Sequence, residues 1–268
     1  MTQVWCNGAF LDETDARLSI ADRGFTLADG IFETVLGVGE KAIWVAEHLQ
    51  RLREGAAVLA LPVDFDDQVL ESAVTELLRK NGFPRSAIRI TLTRGPAIKR
   101  GLWVEGKATP TLLMTCAPTA TLGALQRVII ARSTRRNEYS PLSRIKSLNY
   151  GDNILARREA LVRGATDALM LNTKGHVACA TVGNLFAQIA GEWITPPVED
   201  GILSGIARAK ILPQMNVREV SLTEADLRSA EAAFISNSLG CYEIIEIEDR
   251  KLPSCLDEDL VAALYETP

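Results

Sequence analysis

Histidine is almost missing from this chain: of 268 residues, only His48 and His176 are histidines. A His-based metal centre or a Ser-His-Asp hydrolase site therefore has little to draw on, and no metal site is expected. The five cysteines, Cys6, Cys116, Cys179, Cys241 and Cys255, are scattered, odd in number and never spaced as Cys-x-x-Cys. That usage suits reduced thiols in a cytoplasm better than a disulfide frame or a zinc site. No apolar run approaches the ~20 residues of a membrane helix. The opening MTQVWCNGAFLDE lacks the basic and apolar regions of a signal peptide, so the mature chain is expected to begin there. A basic excess is lacking too, and the net charge of −5 argues against nucleic acid as a partner. What remains is ordinary globular material, 47% hydrophobic and 24% charged, long enough for one large domain or two moderate ones.

Turn chemistry and periodicity divide the chain. Asn7-Gly8 between short apolar runs predicts a hairpin, and LADGIFETVLGVGEKAIWV predicts another with its turn at 37–41. Leu49, Leu52, Ala56 and Leu59 recur near helical spacing in VAEHLQRLREGAAVLAL and predict a helix. A second helix is expected in DFDDQVLESAVTELLRKNGF, opened by Asp64 or Asp66 and stopped by Gly82. SAIRITLTRG and TPTLLMTCAP read as strands. The small-residue segment 117–126 reads as a linker between an N-terminal domain, 1–116, and a C-terminal domain, 127–268. Beyond it, RVIIARSTRR, DALMLNT, NLFAQIA and GEWITPP read as strands, with a turn at Gly175. EAAFISNSLGCYEIIEI reads as the last long strand and turn. Helices are expected in NILARREALVRGA, GILSGIARAKILPQM and TEADLRSA. The class is α+β in two domains, with sheets cut by helices rather than a regular βαβ alternation.

Four local groups could carry chemistry. Lys146 follows the Pro141-Leu142 bend, beside an apolar Ile145. A partly desolvated amine there would have a lowered pKa and attack an aldehyde, although most lysines are surface charges. Ser204-Gly205 ahead of a helix presents free N–H groups at its positive end, suited to an anion; a plain cap uses the same residues. Ser236, Asn237 and Ser238 close an apolar strand and suit a phosphate or carboxylate, or form a polar turn. Arg51 lies near the buried side of its helix, where it needs an anionic partner unless it extends to solvent. A nucleophilic lysine with three separate anion-binding elements is what pyridoxal phosphate, a phosphorylated aldehyde, requires.

The ordered segments ADRGFTLADGIFET, HLQRL, TRG, IKSLNY, GHVACATVGNLF, ILSGIAR and FISNSLG resemble the class IV aminotransferase family, the fold-type IV pyridoxal-phosphate enzymes, over nearly the whole chain. Members include branched-chain aminotransferases, D-amino-acid aminotransferases and 4-amino-4-deoxychorismate lyases. The resemblance implies a homodimer whose subunit has a small N-terminal α+β domain, a larger C-terminal domain and the cofactor in the crevice between them. It also implies that Lys146 holds pyridoxal 5′-phosphate as a Schiff base. Arg51, the backbone of Gly205, Ile206 and Ala207, and the Ser238 hydroxyl would bind the phosphate. Asn237 belongs to the same binding segment, and Tyr150 is expected near the ring hydroxyl.

Two departures from the family pattern matter. Many members read Gly-Ile-Thr-Arg where this chain has Gly205-Ile206-Ala207-Arg208, so backbone N–H groups serve without a threonine hydroxyl. The family's glutamate for the pyridine nitrogen stands five residues before the asparagine of Asn-Leu-Phe. Here that position, counted from Asn184, is Cys179, and no acid lies between Asp167 and Glu192. A carboxylate keeps the nitrogen protonated and the ring a deep electron sink. A neutral thiol leaves a shallower sink, which should hurt transamination more than a reaction that expels a leaving group; a packing role for Cys179 is the alternative. TRGPAIKRGLW and FISNSLG resemble the lyase members most. That likeness implies a small carboxylated amine as substrate, 4-aminobenzoate and pyruvate as products, and Arg94, Lys99 and Arg100 as carboxylate partners. An aminotransferase for D-amino acids, branched-chain amino acids or another small amine is the competing reading.

Overall fold

Asn7 and Gly8 both take positive φ, 47° and 96°, in the computed structural model. A two-residue turn of that kind matches the twist of the strands it joins, and β1 (Gln3–Cys6) pairs antiparallel with β2 (Ala9–Asp12). The structure describes residues 1–97, 99, 101–103, 109–119 and 124–266. Residues 120–123 of the expected linker are outside that set, while Pro118 closes a strand and Gln126 opens one. Packing divides the chain into two units.

The first unit takes in Met1–Thr121 and Ile145–Asn149. After the hairpin come α1 (Arg23–Leu27), β3 (Gly30–Val38), β4 (Lys41–Ala42), α2 (Val45–Val58), α3 (Asp67–Asn81), β5 (Arg85–Thr93) and β6 (Thr111–Pro118). The strands form one sheet in the order β2-β1-β6-β5-β3-β4. Alternation decides its buried face: Ile88, Ile90 and Leu92 of β5 and Leu112 and Met114 of β6 pack against Leu49 and Leu52 of α2 and Leu70 and Leu77 of α3. Each such side chain removed from water contributes about 1.5–3 kcal/mol. Gly82 ends α3 in the left-handed region (φ 63°), its N–H on the Leu78 carbonyl, as its place in the sequence predicts.

The detached segment 145–149 joins this unit by strand addition. Ser147 bridges Ile31, the Phe32 N–H donates to the Lys146 carbonyl at 2.9 Å, and the Leu148 N–H donates to the Gly30 carbonyl at 2.9 Å. Short β4 leaves that edge of β3 open for it. Gly30 admits the close approach: a Cβ there would lie 2.5 Å from the Leu92 carbonyl oxygen and 2.8 Å from a Leu148 methyl. Lys146, which the sequence reading sets within the 127–268 domain, thus packs with the first unit because its backbone completes that sheet.

The second unit takes in Leu122–Arg144 and Tyr150–Thr267. Its elements are β7 (Gln126–Ile130), α4 (Gly151–Val162), β8 (Asp167–Leu171), β9 (His176–Ala180), β10 (Asn184–Ile189), β11 (Glu192–Thr195), α5 (Ile206–Gln214), β12 (Arg218–Glu219), β13 (Leu222–Thr223), α6 (Glu224–Arg228), β14 (Ala232–Asn237), β15 (Gly240–Ile247), β16 (Arg250–Lys251) and α7 (Glu258–Glu266). The sheet runs β12-β11-β10-β14-β15-β7-β8-β9-β13, with β16 on β15. One βαβ unit is present, since β7 and β8 are parallel and α4 joins them. Three features differ from the sequence reading. His176–Ala180 forms a strand that its small residues did not announce. The segment read as one last strand is two, joined at Ser238-Leu239. Helices α1 and α7 were not anticipated. No described helix is long and apolar enough to cross a membrane.

Candidate active site

Lys146 projects from the added strand with its Nζ 4.4 Å from the centre of the Phe32 ring. Register explains the contact, because Lys146 and Phe32 lie opposite each other and share a sheet face. Arg89 of β5, on the same face, holds its guanidinium carbon 3.7 Å from the same ring centre. A cation over an aromatic face is attracted by the ring quadrupole, so Phe32 fixes where both charges sit. Burial pushes the Lys146 amine down to about 8; Glu33 opposes that shift, while Arg51 and Arg89 reinforce it. Near neutrality roughly a tenth of the amine is therefore unprotonated, far more than for an ordinary lysine, and that form is what a nucleophile toward a carbonyl needs. The opening alternative of a solvated surface lysine does not describe this residue.

The charge opposite Lys146 is Glu33, 1% exposed in the middle of β3. Arg51 of α2 donates from Nε to Oε1 at 2.8 Å and from Nη2 to Oε2 at 2.7 Å. His48, one helical turn earlier and fully buried, places Nδ1 2.7 Å from Oε2. Burial would push Glu33 up, but the hydrogen bonds of Arg51 and His48 and the charge of Arg51 outweigh it and hold the carboxyl at about 2. Burial pushes the His48 imidazole down toward the neutral form, whose Nδ1–H can donate to Glu33, and its buried Nε2 has no hydrogen-bond partner among the described residues. Arg51 thus has the anionic partner its position called for, and that partner belongs to the protein. Glu33 locks the guanidinium plane, so a second anion would meet donors already oriented.

The second unit carries the remaining candidates. Gly205 caps α5 without any side-chain hydrogen bond, so the first-turn N–H groups of Ile206 and Ala207 have no side-chain acceptor from the cap. A Cβ at Gly205 would sit 2.1 Å from Asn184 Oδ1, so only glycine lets the chain enter the helix there. The Asn237-Ser238 turn is set by the Leu239 N–H on Asn237 Oδ1 and the Tyr265 hydroxyl on the Asn237 carbonyl, both at 2.8 Å. Tyr150 precedes α4 and lines a surface cavity of about 380 Å³ with Asn153, Ile154 and Thr181. Cys179 is buried on β9 against Ala178, Val198 and Ile202; burial pushes its thiol up, Arg136 opposing and Asp167 reinforcing.

Two of the three expected substrate partners are visible. Arg94 is committed inside the first unit: it donates to Asp29 at 2.7 and 3.1 Å, to the Leu59 carbonyl at 2.6 Å and to the Ala60 carbonyl at 3.1 Å. Lys99 is exposed, and Arg100 is outside the described residues. Sequence reasoning missed Glu33, His48 and Arg89. The signals were an acid on the buried face of β3 between Ile31 and Val35, and a histidine three residues before Arg51 on one helix face. Within the first unit, a suppressed lysine and a clamped arginine suit an aldehyde and an anion; within the second, the uncapped start of α5 suits an anion by itself.

Residues 30–247 match the sequence profile of the family described as amino-transferase class IV. A Methanocaldococcus jannaschii protein provisionally named branched-chain-amino-acid aminotransferase is 31% identical over 256 residues, 92% of this chain and 88% of that one. D-alanine aminotransferase of Staphylococcus epidermidis is 29% identical over 245 residues, 89% of this chain and 86% of that one. Among solved structures, a Legionella pneumophila protein provisionally named 4-amino-4-deoxychorismate lyase superposes with a TM-score of 0.84 at 31% identity, covering 90% of this chain and 91% of that one.

Glu33→Gln tests the clamp. The folded-state pKa of about 2 lies below the ordinary 4.5, so the ionised carboxylate stabilises the fold above that ordinary value. The contribution is lost as pH falls through about 2, and the shift corresponds to about 3 kcal/mol. Urea unfolding across acid pH should show Glu33→Gln less stable than wild type near neutrality, the difference shrinking as pH falls. A constant difference at every pH would remove the charge from the explanation.

Proposed function

The chain belongs to the class IV aminotransferase family and is a pyridoxal 5′-phosphate enzyme, and from that premise we propose that it works as a lyase on a small carboxylated amine, of the kind that converts 4-amino-4-deoxychorismate to 4-aminobenzoate and pyruvate. The observation that carries the choice is Cys179, a thiol that burial keeps neutral where the family resemblance sets an acid. When bound, pyridoxal phosphate supplies an aldehyde for the amine and a ring that takes up electrons from a broken C–H bond. Lys146 offers the amine that holds it, and its freed Nζ then accepts the proton from the carbon beside the substrate nitrogen. In the lyase reaction the electrons of that bond break a carbon–oxygen bond. The released enolpyruvate takes up a proton to become pyruvate, and the remaining ring becomes aromatic. Charge that leaves with a leaving group needs no deep sink, so a neutral residue at 179 costs this chemistry little.

Phosphate binding falls, in this proposal, to Arg51 held by Glu33, to the N–H groups of Gly205, Ile206 and Ala207, and to Ser238 beside Asn237. Tyr150 is assigned to the ring hydroxyl. Amine transfer is the second reading. One observation favours it: Arg94, expected to meet a substrate carboxylate, already holds Asp29. We also propose a cytoplasmic homodimer. Phe25, Leu102 and Trp103 are 77%, 85% and 87% exposed, and the Arg23 guanidinium ties the Gly101 and Leu102 carbonyls to α1. An ordered apolar patch of that kind suits burial by a second copy.

Three outcomes are expected. Borohydride reduction of the holoenzyme followed by peptide mapping should find the cofactor on Lys146, and Lys146→Ala should fold normally without turnover; a label on Lys174 or Lys210 would refute the assignment. A coupled assay should register 4-aminobenzoate from 4-amino-4-deoxychorismate and little transfer from a panel of D- and L-amino acids, with Cys179→Glu gaining transfer activity. Rapid transfer by the wild type, without 4-aminobenzoate, would favour the second reading. In sedimentation equilibrium the protein should be dimeric and Trp103→Ser weaker in association; a monomeric wild type rules the dimer out.

A further inference from the structure

We propose that Arg136 keeps the ring nitrogen of the bound cofactor unprotonated, acting at the wall that carries Cys179; the proposal rests on the reading above that this nitrogen lies against Cys179.

The inference starts from an arginine without an anion. Arg136 is partly buried. Its Nε donates to the Gly201 carbonyl at 3.2 Å, and its Nη2 donates to the Ser143 carbonyl at 2.7 Å. Carbonyls orient a guanidinium without neutralising it, and among the described residues no carboxylate is paired with Arg136. The side chain is anchored beside Cys179. Gly201 precedes Ile202, which packs on Cys179 and Ala178. Cys179 lies opposite Met170 on β8, and the next carbonyl along that strand, that of Leu171, accepts the Arg136 N–H at 2.9 Å.

The charged groups that act on Cys179 are Arg136 and Asp167. Asp167 is already occupied. It accepts from Arg157 Nη2 at 2.8 Å, the Thr181 hydroxyl at 2.5 Å and the Ala168 N–H at 2.7 Å. The thiol, kept protonated, is neutral. Asp200, buried next to Gly201, accepts from Asn172 Nδ2 at 3.1 Å and lies 3.2 Å from His176 Nδ1, and no ion pair joins it to Arg136 among the described residues. The cation that acts on Cys179 is therefore Arg136. A proton on a pyridine nitrogen there would set a second positive charge beside the guanidinium, and a like charge disfavours the charged form. A neutral thiol alone only fails to retain that proton. Arg136 opposes it, which biases the site further toward reactions whose electrons depart with a leaving group.

Holoenzyme carrying pyridoxal phosphate labelled at the ring nitrogen with the heavy isotope tests this, because the NMR shift separates pyridine from pyridinium. The wild type should show the unprotonated shift through the neutral range. Arg136→Gln keeps donors for the two carbonyls and removes the charge, so it should raise the nitrogen pKa by about one unit or more. Arg136→Lys restores the charge and should return the wild-type spectrum, a rescue that a purely structural role would not give. A pyridinium shift in the wild type, or a Gln variant that titrates like wild type, overturns the proposal. Cys179→Glu separates it from its premise. With cofactor bound it should move the nitrogen to the pyridinium shift; an unmoved resonance means the ring is not against this wall, and the premise fails with the proposal.

Discussion

The buried carboxylate of Glu33 accepts from two residues of one helix at once, and the surroundings of Lys146 take their form from that arrangement. Removing a carboxylate from water is costly, and only close, multiple hydrogen bonds offset it. Three of them do so here, at 2.7 to 2.8 Å. The same bonds fix the Arg51 plane and the His48 tautomer, and they set a negative charge within reach of an amine otherwise surrounded by Arg51 and Arg89. Without Glu33 the three cations would face one another with nothing to balance them. The lysine would be still less basic and the arginine free to rotate.

The two units handle charge in different ways. Around Lys146 the balance is struck between fixed ions and an aromatic ring, so the amine is tuned without leaving solvent entirely. Around Cys179, Asp167 is tied to Arg157 and Thr181, Asp200 to Asn172 and His176, and, among the described residues, Arg136 is held by carbonyls. One environment lowers the basicity of a lysine; in the other the acids are already engaged elsewhere.

Much of the first unit was legible because its signals are local. Asn7-Gly8, the helical spacing of Leu49 and Leu52, and Gly82 each act within a few residues. That Lys146 could be desolvated and that a semi-buried Arg51 would need an anion were also legible. The partners were not. That Glu33 would be that anion depends on β3 running under α2, and Arg89 meets Lys146 only because β5 and segment 145–149 flank β3 on opposite edges. Arg136 looked like one more basic residue in STRRNEYS, and nothing in its neighbours says that carbonyls alone would hold it. The strand His176–Ala180 stayed hidden because alanine and cysteine carry weak β preference, and pairing to β8 supplies what the residues lack.

The strand addition at 145–149 also has a consequence for the order of assembly. Ile31 finds its partner Ser147 only after the chain has run out through Leu122–Arg144 and returned. Loop closure over such a span adds only modestly to the free-energy cost of folding, but pairings distant in sequence slow the rate. A fragment ending at Thr121 would hold the helices, Glu33 and Arg51 but not Lys146. That lysine joins them only on the return of the chain, so the emerging polypeptide carries the Glu33–Arg51 pair well before the amine that comes to lie near it.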